Sequence, residues 1–121
     1  MKKNIVVVDD DQDTRNTLQT LFEHEGYIVT CVTNGLDCLN LLERGFQGSI
    51  LLDIMMPKMD GWDTLREIVR RGLQQNVNIF IITAIGTVHH EKIHGLESYI
   101  RDYIPKPFNP KELIQNVKQF G

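Results

Sequence analysis

The stretch Ser49–Gly61, SILLDIMMPKMDG, carries the most chemically suggestive residue of the chain. An apolar run, Ile50-Leu51-Leu52, stops on a carboxylate, Asp53, and opens into a loop of methionines, Pro57 and a closing Asp60-Gly61. A buried strand that ends on an acid and turns into a Pro/Gly loop sets that acid at the carboxyl edge of a sheet, where open α/β sheets bind ligands. Aspartate is also a common turn and helix-cap residue, so this stretch alone leaves the two readings level. Further chemistry lies at the ends of other apolar runs: Asp9, Asp10 and Asp11 after the first, Thr83 at the close of another, and Lys106 just past a short last one. On a shared rim, Asp9, Asp10 and Asp53 would repel one another and raise each other's pKa unless a cation lay between them. Such an oxygen-only set favours Mg²⁺, which keeps several waters and shares its remaining positions with a phosphate. Lys106 and Thr83 then suit an anion, the ammonium neutralising one phosphoryl oxygen and the hydroxyl donating to another, with Asp53 as nucleophile.

Bringing these residues together is the task of the elements between them. Asn4–Val8 is a β-branched run without alternation, as expected of a strand covered on both faces. Leu18, Leu21 and Phe22 follow at helical spacing, with Asp13 capping or favouring the helix start and Gly26 stopping it. Tyr27–Val32 predicts a second strand, and Leu36, Leu39 and Leu42 a short helix over Leu36–Arg44. Ser49–Leu52 is the third strand, and Trp62, Leu65, Ile68 and Val69 form the apolar stripe of a third helix. Asn78–Thr83 reads as a fourth strand. Thr87–Leu96 predicts a weaker helix, with only Val88, Ile93 and Leu96 inward and Gly95 within it. Asp102–Ile104 is a brief fifth strand, which Pro105 and Pro107 confine to an edge. Pro110–Phe120 closes the chain as a helix with proline in its first turn. Strands alternating with helices in this way imply a parallel sheet with right-handed crossovers and helices on both faces. With no repeat or linker, residues 1–121 read as one domain whose first, third, fourth and fifth strands end on one rim.

The chain resembles the receiver domain of two-component response regulators along essentially its whole length. VVVDDD, LLDIMMPKMDG, ITA and the KPF of Lys106–Phe108 fall in that family's order and at similar spacings. The resemblance implies an α/β, doubly wound (βα)5, flavodoxin-like three-layer sandwich with a parallel five-stranded sheet in the order 2-1-3-4-5. It also implies that Asp53 accepts a phosphoryl group from a phosphohistidine on a sensor histidine kinase or phosphotransfer protein. Asp9 and Asp10 match the acidic pair at the Mg²⁺ site, with Asp10 the more direct ligand and the Met55 backbone carbonyl supplying another oxygen. Thr83 and Lys106 match the phosphoryl-contacting pair, Ala84 the small residue beside the phosphate, and Tyr103 the aromatic switch. The Lys106–Pro107 bond is expected to be cis, a state that only X-Pro bonds reach cheaply. Phosphorylation would shift Thr83 and Tyr103 and change the face formed by the fourth predicted helix, fifth strand and fifth predicted helix, for a downstream protein or a homodimer.

Departures from the family pattern concentrate between Thr83 and Lys106, where the chain is about one residue longer than usual and Tyr99-Ile100 replace a common Gly-Ala pair. Met55 and Ile85, two residues beyond Asp53 and Thr83, cannot hydrogen-bond a water through their side chains, which predicts slow self-dephosphorylation. No output domain follows the last helix, so docking, relay or phosphate-sink roles are expected if the chain is complete.

Composition narrows the remaining classes. A net charge of −3 and a pI near 5.7 argue against nonspecific binding to nucleic acid or anionic membrane. No apolar run approaches the roughly 18 residues that cross a bilayer, and a cytoplasmic protein is expected. Cys31 and Cys38 lack metal or disulfide spacing and read as small buried hydrophobes, and His24 as a helix-surface residue. Three rivals remain. His90-Glu91-Lys92-Ile93-His94 matches the H-E-x-x-H zinc-peptidase signature, without the further ligand pattern that would support it. A phosphatase with Asp9 as nucleophile and Asp11 as acid also starts from a strand followed by acids. A receiver fold that binds partners without phosphorylation is the third. The Asp9-x-Asp11-x-Asp13 echo of a calcium loop fails, with Thr14 where that loop needs glycine and Thr20 where it needs its glutamate.

Overall fold

The unbroken apolar runs become strands because each must fill two cores at once. The computed structural model describes residues 3–84 and 95–120. Its elements are β1 (Lys3–Val8), α1 (Gln12–His24), β2 (Tyr27–Val32), α2 (Gly35–Glu43), β3 (Gly48–Asp53), α3 (Gly61–Arg70), β4 (Val77–Ala84), β5 (Ile100–Lys106) and α4 (Pro110–Phe120), with a short 3₁₀ turn at Glu97–Tyr99. The strands form one parallel sheet in the order β2-β1-β3-β4-β5. Alternate residues serve opposite faces. Val6, Val8, Ile50, Leu52, Ile79 and Ile81 pack with Leu39, Trp62, Leu65 and Ile68 of α2 and α3. Ile5, Val7, Leu51, Phe80 and Ile82 pack with Leu18, Phe22, Leu113 and Val117 of α1 and α4. The doubly wound, flavodoxin-like sandwich implied by the resemblance is the observed architecture.

Polar side chains set where the helices begin. Asp11, not Asp13, caps α1 by accepting from the Thr14 N–H, and Asp13 lies in the first turn. Asn34 caps α2, and Asp60 and Asp63 exchange reciprocal hydrogen bonds at the start of α3. Asn109 accepts from the N–H groups of Lys111 and Glu112 at the start of α4. Each such cap stabilises by about 1 kcal/mol.

Several boundaries differ from the sequence reading, β1, β3 and β4 each extending by a residue at one end or both. Helix α2 begins at Gly35 and ends at Glu43, one residue earlier than expected, because Asn34 caps it and Arg44 is already outside. Strand β5 runs through Ile100–Lys106, longer than the predicted Asp102–Ile104. It tolerates Pro105 because it pairs with β4 on one side only, at the sheet's edge. The register passes from Ile79↔Ile100 to Phe80↔Asp102, so a bulge absorbs Arg101. Of the predicted helix Thr87–Leu96, residues 87–94 lie outside the described residues, as do Ile85 and the His90–His94 motif. Gly95 and Leu96 form a turn, and Leu96 is buried against the α2–α3 side of the sheet. Both cysteines are free; Cys38 is buried, its thiol pushed up to about 12 by burial, whereas Cys31 is only half-buried.

Candidate functional site

Parallel pairing aligns the carboxyl ends of β1, β3, β4 and β5: Val8 stands opposite Leu52, Asp53 opposite Ile82, and Ala84 opposite Lys106. Asp9 therefore follows β1, Asp53 closes β3, Thr83 is the penultimate residue of β4, and Lys106 closes β5, all on one rim.

Asp9 is fully buried and held at every polar atom. Its N–H donates to the Val32 carbonyl at 3.2 Å, and its carbonyl accepts from Arg15 Nη1 at 2.9 Å. Its Oδ1 accepts from the Asp11 N–H at 2.9 Å and its Oδ2 from Lys106 Nζ at 3.0 Å. Asp53 is 4% exposed; its Oδ1 accepts from the Met55 N–H at 3.1 Å, and Lys106 Nζ stands 3.9 Å from its Oδ2. Asp10 is exposed. One carboxylate oxygen each from Asp9, Asp10 and Asp53 lies within 4.8 Å of the other two. Oxygens facing each other across an octahedral Mg²⁺ stand about 4.2 Å apart, so a small side-chain movement closes this oxygen-only set around the ion. The donor set fits the metal.

Burial, more than crowding, governs Asp53. Desolvation is the largest cause of a pKa pushed up from its ordinary 3.8 to about 6, opposed by the Met55 N–H, with Asp9 and Asp10 raising it further and Lys106 lowering it. At Asp53 the repulsion from Asp9 and Asp10 is thus secondary to burial, and the Lys106 ammonium beside the carboxylate opposes it.

The loop after Asp53 is folded back by a glycine. Gly61 donates its N–H to the Ile54 carbonyl at 3.2 Å. A Cβ at Gly61 would lie 2.5 Å from the Asp53 carbonyl oxygen and 2.6 Å from Ile54 Cα. Only glycine permits that approach. The Met55 side chain is 58% exposed, while its N–H holds Asp53.

The Thr83 hydroxyl is buried and donates to the Ala84 carbonyl at 3.0 Å. Tyr103 pairs with Ile81, two residues below Thr83, and packs half-buried against the α2–α3 core, where burial raises its phenol pKa. The Lys106–Pro107 peptide is cis. Asp9, Asp10, Asp53, Thr83 and Lys106 therefore meet on one edge, with Tyr103 set back from it. Sequence reasoning missed Arg15, which anchors the Asp9 carbonyl. Its signal was an arginine four residues after the cap Asp11, one helical turn on and able to reach back to the strand end. Of the groups the Asp9-nucleophile phosphatase would use, Asp9 is buried with both carboxylate oxygens hydrogen-bonded, and Asp11 accepts from the N–H and hydroxyl of Thr14.

A family model for the response regulator receiver domain matches residues 5–118. Response regulator SaeR of Staphylococcus aureus (strain USA300) is 38% identical over 114 residues, 94% of this chain and 48% of the relative. The chain thus spans about half the length of the curated relatives it matches. A CheY-like response regulator receiver domain protein from Methanospirillum hungatei JF-1 has a TM-score of 0.92 at 40% identity, over 99% of this chain and 94% of that one. The response regulator TrrA of Thermotoga maritima, solved in complex with Mg²⁺-BeF, has a TM-score of 0.81 at 28% identity, over 98% of this chain and 99% of that one. Matched from its first core strand to its last helix, this chain belongs to the response regulator receiver domain family of two-component signalling proteins.

Proposed function

We propose that residues 1–121 form a single phospho-accepting receiver in which Asp53 takes a phosphoryl group from the phosphohistidine of a sensor histidine kinase or phosphotransfer protein. The observation that carries this reading is the convergence of buried Asp53 with Asp9, Asp10 and Lys106 at one sheet edge. An Asp53 carboxylate oxygen attacks phosphorus, the P–N bond to the donor imidazole breaks with its electron pair left on nitrogen, and a carboxyl-phosphate anhydride forms on Asp53. Asp9, Asp10, Asp53 and the Met55 carbonyl would hold Mg²⁺. When bound, the ion offsets the charge that develops on the phosphoryl oxygens. Lys106 exchanges Asp9 for a phosphoryl oxygen, and the Thr83 hydroxyl turns from the Ala84 carbonyl to another. The space Thr83 leaves admits Tyr103, altering the face of β5 and α4 that a downstream protein or a second copy reads. In this reading the chain is a signalling domain of the cytoplasm that catalyses at most its own phosphorylation and dephosphorylation. Among the described residues no helix is long and apolar enough to cross a membrane.

The test is intact mass after incubation with acetyl phosphate and Mg²⁺. One phosphoryl adduct that requires Mg²⁺ and vanishes in Asp53→Asn supports the assignment. An adduct that persists in Asp53→Asn refutes Asp53 as nucleophile. No adduct from acetyl phosphate or from a panel of phosphorylated histidine kinases favours a phosphorylation-independent binding module.

A further inference from the structure

At the opposite edge of the sheet from the acids, a cleft of about 320 Å³ is lined by Lys3, Glu25, Gly26, Tyr27 and Lys118. Lys3 opens β1 and Tyr27 opens β2, and the two are register partners. Glu25 caps the C-terminus of α1, Gly26 turns the chain at φ +88°, and Lys118 stands in the last turn of α4. Lys118 Nζ pairs with Glu25 Oε1 at 2.7 Å, tying α1 to α4. Tyr27 is 6% exposed, its ring edge-on to Phe22, and its buried hydroxyl has no hydrogen-bond partner among the described residues. The Lys118–Glu25 pair lines the same cleft as Tyr27.

A buried hydroxyl without a partner is an exception that needs a physical reason. Nothing in the phospho-acceptor reading uses it. We propose that this cleft binds a small organic monocarboxylate, with the Tyr27 hydroxyl donating to one carboxylate oxygen and Lys3 and Lys118 to the other. Lys3 and Lys118 bring two positive charges and Glu25 one negative, which leaves the cleft one net positive charge, matched by a single carboxylate. Its volume lies at the lower end of small-molecule sites. For Lys118 to donate to the carboxylate it must swing from Glu25. The Lys118 side chain is 47% exposed, and an ion pair so exposed holds weakly enough to permit it. A bound carboxylate straps β1, α1, β2 and α4 together at the end of the molecule remote from Asp53.

The probe is benzoate, with acetate, inorganic phosphate and chloride at matched ionic strength, added to the whole chain without Mg²⁺ and followed by amide NMR. Saturable benzoate shifts centred on Gly26 and Tyr27, weakened at least tenfold by Tyr27→Phe and by Lys118→Gln in proteins that keep the native spectrum, support the site. Asp53→Asn should bind benzoate as the wild type does; loss of binding there would place the anion at the acidic edge and overturn the proposal. Tighter binding of phosphate than of benzoate overturns the carboxylate assignment. Shifts no larger than chloride produces, or unchanged in Tyr27→Phe, mean an adventitious additive only and refute the site.

Discussion

Asp53 is a carboxylate kept away from water, and its folding energetics should show it. Its pKa is pushed up to about 6, chiefly by burial. Between pH ~4 and ~6 the folded chain therefore holds a proton that the unfolded chain has released. Stability from this group is greatest below pH ~4, falls as pH rises through ~6, and stays reduced at neutral pH. A shift of this size corresponds to about 2–3 kcal/mol. Asp53→Asn, which removes the charge but keeps the shape, should be more stable than the wild type by about that amount at pH 7.5. Urea unfolding followed by Trp62 fluorescence should show the gap closing below pH ~4. A constant gap across the range would mean that burial does not set this pKa. Met55 gives a second expectation. Its exposed thioether side chain offers no strong hydrogen bond to orient an attacking water, so the phosphorylated form should last minutes to hours in Mg²⁺ buffer. Met55→Asn should shorten that lifetime, and a wild-type half-life of seconds would refute the role given to Met55.

At the scale of elements, the connection from β3 to α3 does two separable jobs. Gly61 allows the returning chain to pass against the Asp53 carbonyl and Ile54 Cα, while the neighbouring Asp60 caps α3. Gly61→Ala should destabilise the chain by more than about 2 kcal/mol, since the added methyl meets backbone that cannot move aside. It should also lower phosphoryl uptake from acetyl phosphate by displacing Asp53. Asp60→Ala loses a cap, at about 1 kcal/mol, and should leave phosphoryl uptake nearly unchanged. Equal effects of the two substitutions on uptake would refute this division.

For the whole molecule, Mg²⁺ and folding should be linked, because the acids that would hold the ion converge only in the folded chain. At a hundred times its dissociation constant the ion should stabilise by about 2.7 kcal/mol, with a smaller gain in Asp53→Asn. An unchanged urea midpoint relative to NaCl of equal ionic strength would refute the metal site. Much of the architecture behind this was legible in the sequence. Unbroken β-branched runs mark strands buried on both faces, stripes such as Trp62-Leu65-Ile68 mark helices, and acids or Thr83 at the run ends mark the rim. These signals are local, set by backbone period and side-chain branching, so a single stretch of chain carries each one. What tertiary structure alone decided is distance across the chain. Lys106 comes within 3.0 Å of Asp9, 97 residues away, and Arg15 reaches the Asp9 carbonyl. Desolvation outweighs acid crowding at Asp53, a bulge at Arg101 sets the last register, and the buried Tyr27 hydroxyl at the far edge is left without a partner among the described residues. No local pattern encodes these, because each depends on how closely separate elements pack and on how much water that packing excludes.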